Sequence, residues 1–204
     1  MKKSRLLAIV LLIEAWLSGP VYAVPFLITV DTIPLSGQSG FIAFDFAAGS
    51  PVPGNSAVIS SFNSDSTLGS FSQSGDVSGI LVPGPLSLGD TQFFNEWLQS
   101  MSSFGTTLSY QLDLGSNTAL GGSPDSFSFF LLDSHQIPFA TSDPTQADAL
   151  IAIDLNGSST TPSVYTSSFA TAGIQPINII PEPSSLWLTV IALPLLWRKR
   201  RNVA

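Results

Sequence analysis

Seven short stretches of the chain alternate apolar and polar residues: Phe26 to Ile33, Phe41 to Phe46, Ala57 to Phe62, Thr107 to Leu114, Ser126 to Leu132, Leu150 to Leu155 and Val164 to Phe169. A strand sends successive side chains to opposite faces, so a period of two predicts strands with one face buried and one wet. In the fourth stretch Leu108, Tyr110, Leu112 and Leu114 share one face while Ser109, Gln111 and Asp113 share the other. Turn-forming pairs separate the runs: Ser36-Gly37, Pro53-Gly54, Pro83-Gly84-Pro85, Gly121-Gly122 and Asn156-Gly157. One segment departs from the period of two. After Asp90, an N-cap residue type, Phe93, Phe94, Trp97, Leu98 and Met101 recur at helical spacing and predict one short helix. The expected fold is all-β, an antiparallel β-sandwich of jelly-roll-like form with that one helix.

The two ends follow other rules. Lys2, Lys3 and Arg5 precede the apolar run Leu6 to Ile13, and small residues close the segment at Val21-Tyr22-Ala23. This order predicts a secretory signal peptide over residues 1–23, cut between Ala23 and Val24. At the other end Pro181-Glu182-Pro183 is followed by an apolar run from Leu186 to Trp197 and then by Arg198, Lys199, Arg200 and Arg201. The two prolines keep the glutamate out of regular structure, and the four cations resist translocation, so the tail should sit cytoplasmic side in and body outside. As a helix the apolar run spans about 18 Å against a hydrocarbon core of about 30 Å, which favours transient over permanent insertion in the inner membrane. The expected organisation is a signal peptide over 1–23, one sandwich domain over 24–180 and a sorting tail with a hydrophobic helix over 181–204.

Charge sharpens this division. All seven basic residues, Lys2, Lys3, Arg5, Arg198, Lys199, Arg200 and Arg201, fall in the two end segments. Residues 24–180 hold twelve acids, eleven of them Asp, and no Lys or Arg, which leaves the body near −12. A surface of one negative sign repels phosphates, so nucleic acid is not an expected partner. Asp in such numbers suits turns, where its short side chain bonds the local backbone. Cysteine is absent, which removes disulfides, thiolate metal sites and thiol nucleophiles.

The remaining inventory is poor in catalytic groups. His135 is the one histidine, set among Asp133, Ser134 and Gln136 in a predicted turn, and no G-x-S-x-G, P-loop or H-E-x-x-H pattern occurs. The expectation is that the protein is not an enzyme and holds no cofactor. Calcium is the one ion the composition favours, through abundant Asp and Asn oxygens. Asn63-Ser64-Asp65-Ser66-Thr67 has the oxygen spacing that opens a calcium loop, but the glycine and closing glutamate of an EF-hand are missing, so a surface turn is the expected role. Trp97 and Tyr110 are expected in the core, and Tyr165 is the freest aromatic.

The tail, with Pro181-Glu182-Pro183, its apolar run and its basic end in that order, resembles the PEP-CTERM sorting signal. That resemblance implies recognition and cutting by an exosortase-type membrane enzyme after signal peptidase has acted. The body resembles a family of short exported PEP-CTERM proteins between about Thr29 and Leu155. The carrying residues are Thr29-Val30-Asp31-Thr32, Leu35-Ser36-Gly37-Gln38-Ser39-Gly40, Gly75-Asp76-Val77-Ser78-Gly79, Phe93-Phe94-Asn95, Phe127 to Asp133 and Thr141-Ser142-Asp143-Pro144. The resemblance implies location and architecture: a cell-surface or extracellular-matrix protein with a structural or interaction role beside exopolysaccharide or biofilm. The alternative expectation is a calcium-assisted carbohydrate-binding module.

Overall fold

The computed structural model describes residues 25–49, 54–115, 124–156 and 159–177. Twelve strands lie among them: β1 (Phe26–Asp31), β2 (Gly40–Ala47), β3 (Ser56–Ser64), β4 (Thr67–Ser74), β5 (Val77–Gly79), β6 (Leu86–Gly89), β7 (Phe94–Ser103), β8 (Thr107–Gly115), β9 (Asp125–Leu132), β10 (Ile151–Asn156), β11 (Ser159–Val164) and β12 (Thr171–Pro176). They form two six-stranded antiparallel sheets packed as a sandwich. The first runs β12-β1-β8-β3-β6-β5 and the second β11-β10-β9-β2-β7-β4.

The alternation that predicts the strands also decides which face each one buries. In β1, Phe26, Ile28 and Val30 are buried while Leu27, Thr29 and Asp31 face water. In β8, Leu108, Tyr110, Leu112 and Leu114 turn inward, as their spacing predicts. From the second sheet β2 contributes Ile42, Phe44 and Phe46, and β9 contributes Phe127, Phe129 and Leu131. Phe44 sits at the meeting of the sheets, its ring edge-on to Tyr110 of the first sheet at 5.2 Å and tilted against Phe129 at 5.2 Å. Each fully buried side chain of this size contributes roughly 1.5–3 kcal/mol of transfer free energy, so the aromatic centre is a main source of cohesion.

The two lateral margins differ. On one side β11 and β12 approach each other across the sheets. On the other, β5 is only three residues long, while β4 has eight and is exposed along most of its length. Sheet edges carry unpaired backbone groups, and here the two open edges are unequal.

Two expectations fail. Residues 90–101 do not form a helix: Phe94–Ser103 is β7, paired with β2 on one side and β4 on the other. The stretch fits both periods, and its strand face reads Asn95, Trp97, Gln99, Met101, in which two buried amides hide the apolar alternation. Both amides are satisfied. Asn95 Nδ2 donates to the carbonyls of Phe46 at 3.0 Å and Gln92 at 2.9 Å, and Gln99 Nε2 donates to Gly69 at 3.0 Å. Asp90 caps no helix, and instead accepts the backbone N–H groups of Gly54 and Asn55. Phe93 and Phe94, placed by the helical reading on its apolar face, are 79 % and 44 % exposed. The one helical turn among the described residues is a 3-10 turn at Ile33–Leu35, so β1 ends before Ile33.

Likewise Val164 to Phe169 is not a strand. Val164 ends β11, and residues 165–169 form a connection stitched to the loop after β9: Ser142 N–H donates to the Thr166 carbonyl, and Thr166 N–H donates to Ser142 Oγ. Phe169 packs on Phe139 at 4.7 Å, so its apolar character serves loop packing rather than a sheet face.

Candidate functional site

The outer face of the second sheet carries the least ordinary group in the molecule. β2 sends Ile42, Phe44 and Phe46 to the core and therefore Phe41, Ala43, Asp45 and Ala47 to the opposite face. Asp45 lies directly across from Glu96 on β7 and from Ser128 on β9. Like charges in direct cross-strand opposition repel, and the described residues include no Lys or Arg to offset them. Beside the pair runs an apolar row in which Ala43 faces Leu98 and Phe130. Asp45 Oδ1 is shielded from solvent and has no hydrogen-bond partner. Burial first, and the Glu96 charge second, push the Asp45 carboxyl from 3.8 up to about 7. Burial also raises Glu96.

Carboxylates at the loop ends behave in the opposite way. Asp65, in the turn between β3 and β4, accepts the hydroxyl of Thr106 at 2.7 Å and the N–H groups of Thr106 at 2.9 Å and Thr107 at 3.0 Å. The Thr106 hydroxyl and these N–H groups hold its carboxyl down at about 2. The Asn63 to Thr67 segment therefore spends its central carboxylate tying the β3–β4 turn to the β7–β8 turn, with Ser66 Oγ accepting the Gly105 N–H beside it. At the other end of the sandwich Asp125, 1 % exposed, accepts Gly49 N–H and Asn55 Nδ2, both at 2.7 Å. Together with Asp90 it fixes the segments that flank β2 and β3. Asp143, also buried, accepts the Thr145 N–H and hydroxyl and the Ala149 N–H, which outweigh its burial and hold it below the usual range.

His135 stands in the predicted turn. Asp133 Oδ1 accepts the N–H groups of His135 and Ile137, and the imidazole Nδ1 lies 3.7 Å from Asp133 Oδ2. The ring is 81 % exposed, and the Asp133 carboxylate beside it is already committed to the turn backbone. No nucleophile is brought to it by these contacts.

Aromatic groups complete the survey. Trp97 is buried, as expected, with its indole Nε1 unpartnered, and Tyr110 is fully buried with its hydroxyl unpartnered. Tyr165, expected to be the freest aromatic, is half-buried and less open than Phe93. Beside Phe93 and Phe94, sequence reading also missed Phe71 on β4: its ring stacks on Trp97 at 4.0 Å and 19°, yet it remains 51 % exposed at the open margin. A serine-rich strand with a single phenylalanine gave no periodic warning of it. On the outer face of the first sheet a shallow open groove of about 480 Å³ is lined by Thr29, Asp31, Ile33, Thr106, Thr107 and Thr171.

The sequence-derived processing residues, Ala23, Val24, Pro181, Glu182, Pro183, Arg198, Lys199, Arg200 and Arg201, lie outside the described residues, as does the predicted hydrophobic tail helix. Among the described residues no three His, Asp or Glu side chains gather in a way that would hold a metal ion. No helix among them is long and apolar enough to cross a membrane. Fold and surface thus define an acidic antiparallel β-sandwich whose described strands carry no basic side chain. No family model matches the chain, and no curated protein or solved structure does either.

Proposed function

We propose that this is an exported protein of the cell surface or extracellular matrix, with a structural or interaction role beside exopolysaccharide or biofilm and no catalytic activity. In this reading signal peptidase removes residues 1–23, and residues 181–204 hold the precursor briefly in the inner membrane until an exosortase-type enzyme cuts near Pro181-Glu182-Pro183. The observation that carries the reading is the division of charge: all seven cations stand in the two end segments, and none lies in residues 24–180. A body of twelve acids and no bases has no patch for phosphate, which also speaks against nucleic acid as a partner. Support for a role without chemistry comes from the carboxylates themselves, since Asp65, Asp125, Asp133 and Asp143 are engaged by backbone donors. The test is the intact mass of the secreted protein. A species beginning at Val24 and ending near Pro183 is the expected result, and a full basic tail retained in the membrane fraction would overturn the sorting step.

The finer architectural reading is a jelly roll. Supporting it, β1-β8-β3-β6 in one sheet opposes β2-β7-β4 in the other, the order of seven of the eight strands wound as two Greek keys, while the eighth, β5, departs by pairing with β6 at the edge of the first sheet instead of with β4.

A second reading, a calcium-assisted carbohydrate-binding module, is favoured by one observation: Phe71 presents a half-exposed ring backed by buried Trp97, with Ser70, Ser72 and Gln73 beside it on β4. Sugars stack their apolar faces on such rings. Co-sedimentation with the host's exopolysaccharide, in calcium and in chelator, tests it. Binding lost both on chelation and in Phe71→Ala supports the module, and no binding in either condition removes it.

A further inference from the structure

We propose that Asp45, set opposite Glu96, is a pH-sensitive clasp that holds β2 against β7 in mildly acidic surroundings and loosens that pairing as the surroundings become alkaline. Three features of the geometry carry it. The two side chains are register partners in the middle of the eight-residue pairing from Gly40 with Met101 to Ala47 with Phe94, so they cannot separate without disturbing the sheet. Asp45 Oδ1 is enclosed and unbonded, which is tolerable for a protonated carboxyl and costly for an ionised one. Finally, none of the residues paired across from the two acids is a cation. From β7 comes Glu96, from β9 the neutral Ser128, and beyond Glu96 on β4 the neutral Ser74, while Asp154 of β10 lies one row away, opposite Ser126.

The consequence follows from where β2 sits. It is an inner strand of the second sheet, between β9 and β7, and its other face supplies Phe44 to the aromatic centre. A proton on Asp45 leaves a single negative charge, on Glu96, across the strand pair. Loss of that proton leaves two opposed charges in a partly dry setting, where their repulsion is less screened than in water. The folded-state value of Asp45 lies above its unfolded value, so the stabilisation is complete below about pH 4 and is lost as pH rises through about 7. A proton taken from the surroundings thus acts as the ligand of the folded sheet.

The experiment is thermal unfolding of the full chain in mild detergent from pH 4.5 to 8.5, for wild type, Asp45→Asn and Glu96→Gln. Asn keeps the shape of Asp without its titration. Wild-type Tm is expected to fall across this range, Asp45→Asn to flatten the slope, and Glu96→Gln to flatten it less. Parallel slopes in wild type and Asp45→Asn would overturn the proposal. Should either variant fail to fold, the titration of the Asp45 side-chain carboxyl carbon in wild type decides by itself: a midpoint near 7 supports the clasp and one near 4 removes it. Amide exchange along Ile42 to Phe46 that quickens above neutral pH in wild type would locate the loosening in β2, and unchanged exchange would deny it.

Discussion

Asp65 and Asp45 carry the same side chain and leave the ordinary carboxylate range in opposite directions. Asp65 stands at a turn, open to water, and receives two N–H groups and a hydroxyl, so its charge is welcomed and its proton is held only below about pH 2. Asp45 stands in the flat middle of a sheet, where neighbouring N–H groups are committed to the strand ladder and the residue opposite is another acid. A turn exposes backbone donors that a carboxylate can collect, whereas a sheet interior has none to spare. For these two residues burial raises the one and donated hydrogen bonds lower the other. Glu96, Asp113 and Asp154 also lie within strands, but Asp45 is the strand acid that combines burial with an acid directly opposite.

The largest effect that could break this contrast is in the pH dependence of stability. The Asp65 contribution is present above the unfolded value of 3.8 and is lost as pH falls through about 2. The Asp45 contribution is present below 3.8 and is lost as pH rises through about 7. Stability should peak near pH 4. From there to pH 7 the Asp45 side, at ~1.4 kcal/mol for each pH unit, implies a loss on the order of 4 kcal/mol. Urea midpoints at successive pH values measure it, and a flat profile from pH 4 to 7 would end the comparison.

A smaller effect isolates the turn. A Cβ at Gly105 would land on the Asp65 carboxylate and lie 2.7 Å from the Asp65 carbonyl carbon. Gly105→Ala should therefore displace the clamp and destabilise by roughly 1–3 kcal/mol at neutral pH, with a weakened acid limb in the same urea series. Smallest is Tyr110→Phe. The Tyr110 hydroxyl, like Asp45 Oδ1, is buried without a partner, and burial pushes it well above its usual range so that it stays neutral. Removing it should raise stability by about 1 kcal/mol, read as a higher urea midpoint at every pH, because no bond is lost and an unmet group disappears.

Period-two alternation made the sandwich legible wherever the inward face was apolar, as in β1, β2, β8 and β9. It failed where the inward face was polar or sparse. In β7, Asn95 and Gln99 occupy inward positions, and the leftover aromatics happen to fall at helical spacing. β4 has only Leu68 and Phe71 among serines, threonine, glycine and glutamine, and β11 contains Pro162, so neither resembles a typical strand in isolation. Both exist because a neighbour's backbone offers them a ladder, a reason that is not local. The same limit governs the site. An acid inside Gly-Phe-Ile-Ala-Phe-Asp-Phe-Ala is conspicuous on its own, but that Glu96 faces it depends on a register between segments about fifty positions apart. Asp65 was legible as a turn residue, while its debt to Thr106 and Thr107 was not.

The absence of Lys and Arg between Leu6 and Trp197 also bears on how the chain meets proteases. Proteases of trypsin-like specificity need a basic side chain on the acyl side of the bond they cut, and along this entire span none is offered. The protection does not depend on the sandwich staying closed, because a chain opened by alkali or heat presents the same blank to such an enzyme. A protein built this way would be degraded only by enzymes that read apolar, aromatic or acidic residues, whichever way the clasp at Asp45 and Glu96 happens to stand.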